Sequence, residues 1–384
     1  GGPAWTWDAR RGQYYLHNFL SSQPQLNGHN AEVQDALLAV ARFWLDRGVD
    51  GFRLDALNFA MHDPLLRDNP PAPDTGKLRT RPFDFQAHVH NQSHPAIPAF
   101  IARIRALTDS YGAVFTVAEV GGADADREMK LFTAGEEHLN SAYGFDFLYA
   151  QKLTPELVSK ALALWPDTPG IGWPSWAFEN HDAPRALSRW CAAEHREPFA
   201  RMKAMLLAAL RGNIIVYQGE ELGLEQVEIP FEQLQDPEAI ANWPLTLSRD
   251  GARTPQPWAA QDEFGGFSPA DPWLPLGEGN LARAVDRQEH DPASLLNLTR
   301  ALLALRRAHP ALRLGRAEVL RAAGDGLVLR RTHGGQTVTG VFNFGAAPLP
   351  WPAEAPAGGT VLHAVNGAAP VSSLPPFAAL LIEE

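Results

Sequence analysis

Asp55, Glu119 and Asp182 each sit at the predicted C-terminal end of a separate strand, in GFRLD, FTVAE and FENHD. Carboxyl groups presented this way can share nucleophilic, acid and base work, provided their surroundings split their pKa values. Cleavage of a glycosidic bond needs such a pair: one ionised carboxylate to attack the anomeric carbon and one protonated carboxyl to release the leaving oxygen. Arg53 and Asp55 are two apart on a strand-like run, so both side chains point to one face and the guanidinium can hold the carboxylate ionised. Asp55 therefore suits the nucleophile, a purely structural ion pair being the alternative for Arg53. Glu119 follows VFTVA, an apolar setting that raises a carboxyl pKa as an acid/base requires.

The elements that must position these groups alternate along the chain. EVQDALLAVARFWLDR (32–47) has apolar residues at helical spacing and stops at Gly48, and VDGFRLD (49–55) reads as a buried strand. After a Pro-rich turn at NPPAPD, residues 96–108 predict a helix and 114–119 a second strand. A weaker strand-like piece lies near 140–147, a third strand at 176–179, a helix at 197–210 and a fourth strand at 213–217. This βα alternation implies right-handed crossovers and a parallel sheet, and functional side chains after strand ends fit a parallel α/β barrel. The helix at 294–309 ends at Pro310, after which strand-like runs around 327–332, 336–344, 359–364 and 377–383 describe a small antiparallel β domain.

Composition narrows the classes. With 384 residues, 45% apolar and 20% charged, the chain suits a large barrel plus a smaller domain. A formal charge of −11 and no Lys/Arg stripe argue against a nucleic-acid partner. No apolar run approaches a membrane span. Cys191 is the single cysteine, which excludes an intramolecular disulfide and a cysteine metal site and is compatible with a reducing, cytoplasmic compartment. It reads as a small buried hydrophobe rather than a reactive thiol.

Taken together, these segments resemble glycoside hydrolase family 13, the α-amylase family, in its α-glucosidase and oligo-1,6-glucosidase branch. GVDGFRLD looks like the fourth-strand motif, FTVAEV the fifth and FENHD the seventh, while NIIVYQGEELG is similar to the eighth-strand region and SRDGARTPQPW to the branch segment RD-x-x-RTPMQW. The resemblance implies a (β/α)8 TIM barrel. It would span 31–310 with strands four to eight, after an inserted-domain tail and lead-in at 1–30, and be followed by an antiparallel β domain at 311–384. It implies Asp55 as covalent nucleophile, Glu119 as acid/base and Asp182 as the carboxylate that grips sugar hydroxyls. Arg53 and His181 would line the same glucose subsite, and Arg249 would hold the terminal glucose. Ala56 stands where members that cut α-1,6 links look to carry Val, so its smaller side chain favours α-1,4-linked substrates. Phe59 and Phe145 are candidates for stacking on sugars, with core packing as the alternative.

Two departures accompany the resemblance. Gln25 replaces an acidic residue in the branch's QPDLN segment, and the family's first three barrel strands have no counterpart, so a fragment of a longer polypeptide is expected. The activity expected is a retaining exo-α-glucosidase on small α-glucosides, with no cofactor and no metal ligands in this chain; a structural calcium would belong to the missing portion. Alternatives are a glucosyl transferase or sugar isomerase of the same family, a catalytically incompetent fragment, or a non-catalytic interaction module. Oligomeric state is left open.

Overall fold

The computed structural model describes residues 3–76, 78–168, 170–245, 248–370 and 372–384. Gly1 and Gly2, at the head of the expected lead-in segment, lie outside the described residues. The chain divides into two compact units, Gly1–Gly144 with Thr168–Trp173, and Phe145–Asp167 with Pro174–Glu384.

The first unit opens on an antiparallel hairpin, β1 (Trp5–Asp8) and β2 (Gln13–Leu16), which the sequence reading did not anticipate. Helix α1 (Ala31–Leu45) starts at Asn30, whose side chain accepts the Glu32 N–H at 2.9 Å. Only Leu45 of α1 is buried; Val40, Phe43 and Trp44 are 56%, 46% and 48% exposed, so an apolar face stands open in this unit. Strand β3 (Gly51–Leu54) follows, then α2 (Ile97–Asp109), β4 (Phe115–Glu119), α3 (Ala125–Thr133) and β5 (Ser141–Tyr143). The three strands form a parallel sheet in the order β3-β4-β5, with Arg53 beside Val117 and Glu119 beside Tyr143. Gly51 permits the first pairing, because a Cβ there would stand 1.9 Å from the Phe115 carbonyl oxygen.

The second unit holds α4 (Pro155–Ala163), β6 (Ser175–Ala177), α5 (Ala186–Trp190), α6 (Arg196–Ala209) and β7 (Asn213–Ile215), with β6 and β7 parallel. Short helices α7 (Pro237–Asn242), α8 (Glu278–Leu281) and α9 (Val285–Gln288) precede α10 (Leu295–Ala308), which Ser294 caps by accepting the Asn297 N–H, and α11 (Pro310–Leu314). Strands β6 and β7 stop short of the expected 176–179 and 213–217, and the residues beyond them leave the ladder to carry polar groups.

The antiparallel sheet comprises β8 (Arg316–Ala323), β9 (Gly326–His333), β10 (Gln336–Asn343), β12 (Thr360–Val365) and β14 (Ala379–Glu383), in the order β12-β14-β10-β9-β8. The two-residue strands β11 (Leu349–Pro350) and β13 (Ser373–Leu374) pair separately. Val328, Val341, Leu374, Ala378, Leu380 and Ile382 form its core. Among the described residues no helix is long and apolar enough to cross a membrane.

Candidate active site

In the first unit the parallel register delivers Arg53, Asp55, Ala56, Glu119 and Tyr143 to one place. Arg53 Nη1 lies 2.5 Å from Asp55 Oδ1, and its Nη2 lies 2.8 Å from Glu119 Oε2. The two carboxyls meet very different surroundings: the Asp55 side chain is 73% exposed and that of Glu119 only 7%. Ala56 turns the chain sharply after Asp55, at φ 42° and ψ 44°, and its N–H donates to Glu119 Oε2 at 3.3 Å. A non-glycine residue in the left-handed region is strained, and here the strain aims a backbone donor at a buried carboxyl.

Burial is the main cause that pushes the Glu119 carboxyl up to about 7, with the hydrogen-bonded, negative Asp55 adding to it. Arg53 opposes the rise without cancelling it. The result is a carboxyl that can give and take a proton near neutrality beside an exposed carboxylate already paired with a cation.

Tyr143 was not among the sequence candidates. Its hydroxyl accepts from Arg53 Nε at 3.3 Å and Nη2 at 3.1 Å, and donates to Glu119 Oε1 at 3.3 Å. The residue is buried, and burial raises the phenol pKa well above its ordinary value, the charge of Glu119 adding to the effect.

The second unit carries its own constellation around Asp182. Arg253 Nη2 stands 2.8 Å from Asp182 Oδ1, Arg249 Nη1 3.4 Å from the same oxygen, and His181 Nε2 3.4 Å from Oδ2. Arg253 also donates through Nε to the His181 carbonyl at 2.7 Å, which ties the NHD turn down. Arg249 is anchored from behind by buried Asp236, at 2.9 Å through Nε and 2.6 Å through Nη2. The Asp236 carboxyl is drawn down to about 2: burial acts against ionisation, and the hydrogen bonds and charge of Arg249 override it. Sequence reasoning named His181, Asp182 and Arg249 and missed Arg253 and Asp236. Arg253 lay within the RTP segment already singled out.

Phe145 stacks on Tyr149 in this unit, with centroids 5.2 Å apart, and Phe59 in the first unit packs against Phe19 and Phe83. Gln25 accepts from Asn18 at 2.9 Å and donates to the Phe59 carbonyl at 2.8 Å, the second of which an ionised Asp could not do. The Cys191 thiol is pushed up by burial, away from thiolate reactivity. Among the described residues no group of three or more His, Cys, Asp or Glu is arranged to hold a metal ion.

Residues 1–315 match the family model described as alpha amylase, catalytic domain. The chain is 45% identical over 353 residues to a probable alpha-glucosidase of Rhizobium meliloti (strain 1021), covering 90% of this chain and 64% of that protein. Among solved structures it resembles the alpha-glucosyl transfer enzyme XgtA, with TM-score 0.90 and 42% identity over 100% of this chain and 73% of that one. Trehalulose synthase MutB from Pseudomonas mesoacidophila MX-45 is similar at TM-score 0.84 and 26% identity, covering 100% of this chain and 74% of that one. The chain thus spans just under two thirds of the curated relative's length. The fold these matches carry is the barrel catalytic domain followed by an antiparallel β domain.

Proposed function

Because the chain belongs to the α-amylase family of glycoside hydrolases, we propose that it acts as a retaining, exo-acting α-glucosidase on short α-glucosides. The observation that carries this reading is the single guanidinium of Arg53 joining an exposed carboxylate, Asp55, to a buried carboxyl, Glu119.

In the first step Asp55 attacks the anomeric carbon while Glu119 gives its proton to the leaving oxygen, which yields a glucosyl ester on Asp55 and an ionised Glu119. In the second, Glu119 takes a proton from water, whose oxygen displaces Asp55 and releases glucose. A double displacement of this kind expects the two carboxyls about 5–5.5 Å apart, whereas inverting pairs stand about 6.5–9.5 Å apart to admit a water. From the family likeness, Asp182 and His181 are assigned to the sugar hydroxyls and Arg249 to the terminal glucose, while Phe145, by its aromatic ring alone, is a candidate for stacking on sugar. Ala56 leaves room for α-1,4 links. The chemistry needs no cofactor and suits a cytoplasmic enzyme. The open apolar face of α1, with Val40, Phe43 and Trp44, supports further βα units completing the barrel.

Glucosyl transfer is the second reading, favoured by the 42% identity to an alpha-glucosyl transfer enzyme. The steps are shared, with an acceptor hydroxyl in place of water.

The test is release of p-nitrophenol from its α-glucoside by the longest natural chain that carries these residues, beside Asp55→Asn, with the first product's anomer read by NMR. An α-anomer and a dead variant are expected. A β-anomer would remove the retaining mechanism, and full activity in Asp55→Asn would remove the nucleophile. A glucosylated acceptor at high sugar concentration would move the reading to transfer.

A further inference from the structure

Hydrogen-bond counting at Tyr143 assigns that residue a task. A phenol oxygen has one proton to donate and two lone pairs to accept with. Arg53 supplies two donors to it, Nε at 3.3 Å and Nη2 at 3.1 Å, which fill the accepting positions. The remaining proton has Glu119 Oε1, at 3.3 Å, as its acceptor. Oε2 of the same carboxyl already receives Arg53 Nη2 and the Ala56 N–H.

We propose that Tyr143 is a positioning residue that holds Arg53 in place and, by donating to Oε1, sets how readily Glu119 gains and loses its proton. The inference rests on Glu119 being the acid/base of the proposed function. The charged and titratable groups facing Glu119 are Arg53 and Asp55 from the end of β3 and Tyr143 from β5. Arg53 and Tyr143 stabilise the ionised form, whereas Asp55 disfavours it. Tyr143 can play this part across the working pH range because burial keeps its phenol protonated. A hydroxyl donated to a carboxylate is a charge-assisted bond, so losing it makes the ionised carboxyl harder to form.

The experiment is a 13C NMR titration of the Glu119 carboxyl, assigned with Glu119→Gln, in the natural protein and in Tyr143→Phe. The pH profile of kcat/KM on p-nitrophenyl α-glucoside is recorded alongside. Tyr143→Phe is expected to raise the Glu119 midpoint by about one pH unit, to move the basic limb of the profile by the same amount, and to lower kcat more than it changes KM. Replacing Tyr143 by 3-fluorotyrosine, an almost isosteric and more acidic phenol, should move the midpoint the other way by a few tenths. That arm decides the matter if Tyr143→Phe does not fold. An unchanged or lowered midpoint in Tyr143→Phe, or an unmoved one with fluorotyrosine, overturns the proposal. If the midpoints move as expected while the natural protein turns over no α-glucoside, the coupling stands and the proposed function falls.

Discussion

Nη2 of Arg53 lies 2.8 Å from Oε2 of Glu119, so the cation that pairs with the exposed carboxylate of Asp55 also grips the buried carboxyl proposed as the acid/base. Its positive charge draws Glu119 toward ionisation, while burial, with the neighbouring Asp55 adding to it, favours the protonated form. The site's acid–base asymmetry is therefore a balance between one guanidinium and one desolvated carboxyl.

Removing that cation tests the balance. In Arg53→Leu the Glu119 midpoint should rise above its value of about 7, because the opposing charge is gone while burial and Asp55 remain. The basic limb of kcat/KM moves up with it. Activity should fall by roughly a hundredfold or more, the scale of losing a preorganised charge partner. A pH–rate profile reads both effects, and a limb that stays in place would detach Arg53 from Glu119.

The same raised pKa has a consequence for stability. Glu119 is held at about 7 in the folded chain against an ordinary 4.5, so the folded state binds the extra proton between those values. Its contribution is fully present below about pH 4.5, is lost as the pH rises through 7, and stays lost above. Glu119→Gln has no such proton to lose. The variant should be more stable than the natural chain by roughly 1–2 kcal/mol at pH 8, with the gap closing toward pH 5. Paired thermal melts at the two pH values measure this, and a gap independent of pH would contradict it.

How far the sequence exposed this site can be judged residue by residue. Arg53 and Asp55 were legible because an i, i+2 pair on a strand shares a face whatever the strand packs against. The apolar approach to Glu119 likewise announced its poor solvation. Tyr143 was not legible: its role follows from the pairing of Glu119 with Tyr143 between neighbouring parallel strands, a register that local spacing does not contain. Asp236 was hidden too, being thirteen positions from its partner Arg249, a separation that no helix or strand period links. In the fold, the long periodic helices stood out, whereas α3 and α4 are nine-residue helices. For α1 the periodicity marked a helix, yet its apolar face is left open in its unit, so the pattern gave the element without giving its cover.

Ala56 offers a specificity test. It occupies a left-handed conformation that a β-branched residue tolerates poorly, and it adjoins Asp55, the proposed nucleophile. Ala56→Val should lower kcat/KM on maltose relative to isomaltose by about ten- to a hundredfold, the range that added methyl groups command in a pocket. It should also cost about 1–2 kcal/mol of stability. Competition between the two disaccharides gives the ratio directly, and an unchanged ratio would remove Ala56 from linkage choice.

Arg331 allows a test far from the carboxylates. Its side chain is fully buried on β9 and donates to the carbonyls of Ala209 at 2.6 Å, Gly315 at 2.9 Å and Arg316 at 3.1 Å, so it joins the antiparallel sheet to the end of α6. Burial pushes its pKa down to about 9, with the charges of Arg306 and Arg211 adding to the effect. Exchanging a buried charge for an apolar side chain is harmless only when its partners can be exchanged as well. Here the partners are backbone carbonyls, which no substitution removes. Arg331→Met should therefore strand three acceptors and destabilise the chain by about 2–4 kcal/mol. Arg331→Lys should recover little, because an ammonium lacks the planar fork that reaches all three. Urea unfolding is expected to show a lower midpoint at an unchanged slope for both variants. Equal midpoints for Arg331→Lys and the natural chain would mean that charge alone, and not the fork, holds this junction.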